Sequence, residues 1–215
     1  MKTLWSSNSR STRGGSPQGA DRRRSSLLSS LYNALNLSTP SVRSNLFTHS
    51  WRRLGTYNIP DLCSYIEFTP PTPITRLRWC KNQDGVKHEF LLLKVERPDD
   101  GKTVWLRLDR RVHENARAVN AVFSPVPSGD TVRICSYVSR LFDASRSQVQ
   151  VETEFAIPPL LQRLGNLLTI LMEDSPDYKL YSENCYFFCA VIYENLVSMG
   201  RGVNVVRASS YYPKS

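Results

Sequence analysis

The chain has 215 residues and a mass of 24.5 kDa, with 40% hydrophobic and 22% charged residues, which fits one globular domain plus a tail and excludes a multidomain assembly. No stretch approaches the roughly 18 apolar residues of a membrane span, and five cysteines without a CxxC pair argue against a disulfide framework or a compact zinc site. The net charge of +9 sits in the tail: residues 1–60 hold nine Lys or Arg against Asp21 alone, whereas 61–215 hold 19 against 18, so a generally basic face is not expected on the folded part.

Residues 1–25 are Ser, Gly and Arg with almost nothing to bury, and predict a disordered basic segment. Leu27, Leu28, Leu31, Tyr32 and Leu35 then recur at helical spacing after Arg22, Arg23 and Arg24, a short amphipathic helix near 26–37. Such a tail has the character of an organelle presequence or a membrane-surface anchor, or else docks on its own domain. An intracellular location is expected, cytoplasmic or in an organelle if the tail is a presequence.

The texture changes at Asp61, and 61–215 reads as a single α+β domain after a tail of 1–60. LCSYIEF (62–68), RLRWCK (76–81), VKHEFLLLKV (86–95) and TVWLRLDR (103–110) read as short β-rich runs, the last three joined as a meander by turns at 82–85 and 97–101. A further strand pair is expected from 131–138 and 148–155. Two helices follow. Over 158–172, Leu160, Leu161, Leu164, Leu167, Leu168 and Leu171 form a stripe; 183–199 is apolar nearly all round, ends at Gly200 as a C-cap, and predicts the central buried helix. A last strand is expected at 200–206.

Chemistry concentrates at the start of that central helix. Cys185 falls in its first turn behind Asn184, an apt N-cap, where unpaired N–H groups and the helix dipole favour a thiolate and can donate to an oxyanion. A base must then be found. His88 opens the apolar strand HEFLLLKV, which predicts a central strand with the ring at the sheet rim; His113 is the fallback, and His49 lies in the tail. On the next strand Trp105, Arg107 and Asp109 share one face. Asp109 suits the orienter of His88, and Arg107 suits an anionic substrate group or the oxyanion. Buried cysteine, rim histidine and solvated strand charges are the bland alternatives for each.

His88 at the head of its strand, the meander after it, and YKLYSENCYFF from Tyr178 to Phe188 resemble the circularly permuted papain-like fold of the lecithin:retinol acyltransferase-like family, over roughly residues 76–200. The resemblance implies an antiparallel sheet packed on a central helix, attack by Cys185 on an ester or amide, and an acyl-cysteine intermediate resolved by water, an amine or an alcohol. His88 would be the base, Asp109 its orienter, and Asn184 and Arg107 oxyanion or substrate ligands, with no metal or cofactor and a lipid or other acyl compound as substrate. Where the family often has a second histidine, this chain offers Arg107 and Asp109. A catalytically inactive papain-like module, recruited by its basic tail to a membrane or an acidic partner, is the alternative; nucleic acid ranks last.

Overall fold

The computed structural model describes residues 46–47, 51–85, 87–97, 99–116, 120 and 124–207, with backbone alone for 203–207. The expectations for the disordered segment 1–25 and the helix at 26–37 fall outside these residues, as does His49. Among them the protein is α+β, with a seven-stranded antiparallel sheet carrying three helices on one face.

The folded unit begins before Asp61. Leu46, Phe47 and Trp51 are buried, and β1 (Gly55–Asn58) pairs with β6 (Thr131–Cys135), so the basic stretch and the tail do not end together. LCSYIEF is helical rather than extended: it lies in α1 (Ile59–Glu67). Asn58 caps this helix, accepting from the Asp61 N–H at 2.8 Å, Pro60 stands in the first turn, and Ile59, Leu62 and Ile66 bury one face.

The meander forms as expected from β2 (Ile74–Asn82), β3 (Glu89–Glu96) and β4 (Thr103–Asp109). With β7 (Ser147–Phe155) and β9 (Gly202–Arg207), the order across the sheet is β1-β6-β4-β3-β2-β7-β9, which puts β3 in the middle. This explains its apolar run, since both of its faces are covered. The expected pairing of 131–138 with 148–155 does not occur: β6 joins β4 and β1, whereas β7 joins β2 and β9, on opposite sides of the meander. A short pair, β5 (Val126–Pro127) with β8 (Asp177–Tyr178), stands apart from the large sheet.

Strand alternation sorts the core. Leu91, Leu93, Leu106, Leu108, Val132 and Ile134 face α1, α2 (Leu161–Asp174) and α3 (Cys185–Gly200); Phe90, Leu92, Trp105 and Cys135 face the other way, under Leu141. Phe188, Ile192 and Leu196 bury the inner side of α3, each contributing about 1.5–3 kcal/mol. The helix ends one residue later than expected. Arg201, with φ 46°, supplies the left-handed cap, and Gly200 is small for another reason: a Cβ there would stand 2.6 Å from Phe155 and Pro159.

Candidate active site

His88 immediately precedes β3, at the rim of the sheet. Its carbonyl accepts from the Asn82 N–H at 2.8 Å, which closes the β2–β3 hairpin and fixes where the ring emerges. Asp109 ends β4 opposite Phe90, two residues along from His88, and its Oδ1 lies 2.8 Å from His88 Nε2. The carboxylate is 1% exposed and is gripped by Arg107, whose Nε and Nη2 donate to Oδ2 and Oδ1 at 2.9 Å each. Burial alone would push the Asp109 carboxyl up, but the His88 and Arg107 hydrogen bonds and the charges of Arg107 and Arg133 hold it well below the usual carboxylate range.

Cys185 is the first residue of α3. Asn184 Oδ1 accepts from the Phe187 N–H at 3.0 Å and its Nδ2 donates to the Leu180 carbonyl at 2.6 Å, so the cap fixes both the helix start and the loop leading into it. The sulfur stands beside the His88 ring and the Glu89 amide, both of which favour its thiolate. With Nε2 committed to Asp109, Nδ1 is the ring nitrogen left for the thiol. Burial pushes the Cys185 thiol up, yet the His88 hydrogen bond, the Glu89 amide and the His88 charge outweigh it, and the net shift is downward. Burial likewise opposes the imidazolium, but hydrogen bonds and charges from Asp109 and Cys185 raise His88 above its ordinary value. Both shifts favour a thiolate–imidazolium pair.

All five cysteines are free thiols, and three of them shift the opposite way to Cys185. Cys80 is pushed up to about 12 by burial, and Cys189, one turn along α3, is also raised far by burial. Cys63 is half-buried, as Cys185 is, but burial raises it despite a hydrogen bond with Thr169.

Sequence reasoning missed a fourth group. Tyr178 is buried beside Cys185; burial, then the Cys185 charge, raises its pKa. It comes from β8, a two-residue strand too short to show any period, although Tyr178 lies in the motif that carries the family resemblance. Arg110, fully buried, holds this segment in place: its Nη2 donates to the Ser175 carbonyl and, at 3.0 Å, to that of Asp177, while its guanidinium faces the Phe188 ring at 5.7 Å.

Two expected ligands are otherwise engaged. Arg107 points to the sheet face away from α3, with Nη1 on the Leu141 carbonyl at 2.9 Å and its guanidinium 3.4 Å from the Phe90 ring centre, so it secures Asp109 rather than an oxyanion at Cys185. The Asn184 side chain is committed to capping. His113 lies apart from the thiol, lining a cavity of about 700 Å³ that reaches the triad only at Asp109. No group of His, Cys, Asp and Glu among the described residues is arranged to hold a metal ion, and no described helix is long and apolar enough to cross a membrane. Comparison with family models, curated proteins and solved structures gives no match to this chain.

Proposed function

We propose that this protein is a thiol-dependent acyl hydrolase or acyltransferase built on a permuted papain-like architecture, similar to the lecithin:retinol acyltransferase-like family. The observation that carries the reading is the 2.8 Å His88–Asp109 hydrogen bond beside the Cys185 thiol, with both pKa shifts toward the ion pair. The chain order supports it as well, since the histidine precedes the cysteine.

In this reading the Cys185 thiolate attacks the carbonyl carbon of an ester or amide, and the carbonyl π pair moves to oxygen. In that step the Tyr178 hydroxyl, beside Cys185, would donate to the oxyanion. Collapse expels the alcohol or amine, which takes its proton from His88, and leaves a thioester. Water, an amine or an alcohol then gives its proton to His88 and attacks the thioester, releasing the product and regenerating the thiolate. Asp109 keeps Nε2 protonated and Nδ1 directed at sulfur throughout. The substrate would be a lipid or other acyl compound.

The test is chemical. Chloroacetamide at pH 7 should alkylate Cys185 at least about tenfold faster than Cys63, the comparably exposed internal control, and p-nitrophenyl acetate should leave an acetyl group on Cys185 visible by mass spectrometry. Replacing His88 with Ala should slow turnover by about 10²–10⁴ without unfolding the protein. Equal labelling of Cys185 and Cys63 would remove the catalytic reading and leave the interaction module.

A further inference from the structure

The near-neutral charge of 61–215 conceals a segregation that only the tertiary structure reveals. Beyond Asp109, on the sheet face away from α3, arginines arrive from separate segments: Arg107 on β4, Arg111 just after it, Arg133 on β6, Arg140 at the end of a 3-10 turn, and Arg146 before β7. Together they border a cavity of about 410 Å³. Arg107 and Arg133 stand directly opposite each other across the β4–β6 ladder, a like-charge pairing that costs stability.

The acids nearby do not balance them. Asp109 is taken up by Arg107 and His88, and Arg111 and Arg133 approach it only to 3.4 Å. Asp84 makes a 3.4 Å contact with Arg146 in solvent, and Asp143 turns back onto the Ser145 N–H and hydroxyl at 2.9 and 2.6 Å. Five guanidinium groups thus face three carboxylates, leaving two positive charges uncompensated. Arg140 is exposed and has no carboxylate partner among the described residues.

We propose that this cavity binds a phosphate dianion, free or as the phosphate of a monoester. Two surplus charges match a dianion, and planar guanidinium forks match the geometry of its oxygens. Arg111 and Arg133 also border the 700 Å³ cavity, so the organic part of a monoester has adjoining space to occupy. The site goes beyond the acyl-transfer reading and stands without it, because it uses neither Cys185 nor His88.

Titration of the full chain with inorganic phosphate in a calorimeter, against sodium chloride at matched ionic strength, tests the proposal. The expected result is saturable binding that weakens about tenfold in Arg133→Gln and in Arg140→Gln, but not in Arg163→Gln on α2. Arg140→Gln touches no buried contact, so its loss of binding cannot be ascribed to misfolding. Tighter binding of glycerol 3-phosphate than of inorganic phosphate would support a soluble monoester. Retention on phosphatidate vesicles beyond that on phosphatidylserine, lost in Arg140→Gln, would support a lipid headgroup. No saturable heat beyond the chloride control, or unchanged binding in both pocket variants, would overturn the site.

Discussion

Replacing Asp109 with Asn removes one charge and no heavy atom, and two effects of different size should separate. Asp109 and Arg107 are 1% and 8% exposed, so the substitution strands a buried guanidinium and should cost about 3–5 kcal/mol of stability. At the site, a hydrogen bond to a carboxylate becomes one to a neutral amide, a difference of about 1–1.5 kcal/mol, and with the Asp109 bond and charge weakened the His88 pKa falls. The thiolate–imidazolium pair then becomes scarcer, and chloroacetamide labelling of Cys185 at pH 6.5 should slow about five- to tenfold. Urea titration reads the first effect and labelling kinetics the second. Adding Arg107→Met should recover part of the stability, because it withdraws the stranded charge, while labelling stays slow. Wild-type labelling in a folded Asp109→Asn variant would refute the orienting role.

Removing the Tyr178 hydroxyl, as Phe, should lower turnover of an activated ester by about 10²–10³ while leaving chloroacetamide alkylation nearly unchanged, since alkylation forms no oxyanion; equal effects on both rates would count against the donor role. Burial pushes the Asp130 carboxyl up to about 6, against a partial offset from Arg110. A carboxyl raised on folding contributes stability below its unfolded pKa and loses it as pH rises through the folded value. Urea titrations should therefore show wild type losing about 3 kcal/mol relative to Asp130→Asn between pH 4 and 7, and parallel profiles would contradict the burial. Gly200→Ala should destabilise by about 1–3 kcal/mol, because its Cβ meets Phe155 and Pro159 at 2.6 Å; an unchanged thermal midpoint would mean that the α3 terminus yields freely.

The central position of β3 was legible because a strand covered on both faces needs an apolar run, and HEFLLLKV supplies one. The proximity of His88 and Asp109 was legible for a similar reason: a hairpin register and strand parity decide which side chains meet. The helix at Ile59–Glu67 was missed because Leu62, Cys63, Tyr65 and Ile66 suit a strand as well as a helix; Asn58 and Pro60 were the signals that could have decided it. Arg107 kept its predicted face but not its predicted partner, since parity cannot say which polar group waits there. The arginine-lined cavity was beyond reach, because it depends on β6 lying beside β4, a neighbour relation that alternation along one strand does not encode.

Asp109 and Arg110 are adjacent residues that reach opposite faces of the sheet, the first steadying the imidazole and the second anchoring the segment that carries the Tyr178 hydroxyl. One peptide unit therefore sets the spacing between both halves of the reaction centre. A single-residue deletion within 103–108 would put Arg110 in the place of Asp109, beside His88, and turn Asp109 into the place of Leu108 on the helix-bearing face. The hairpin at 97–101, by contrast, can lengthen without disturbing this alignment. The frame of the chain through 103–109, more than the length of its turns, keeps those two side chains on their own sides of the sheet.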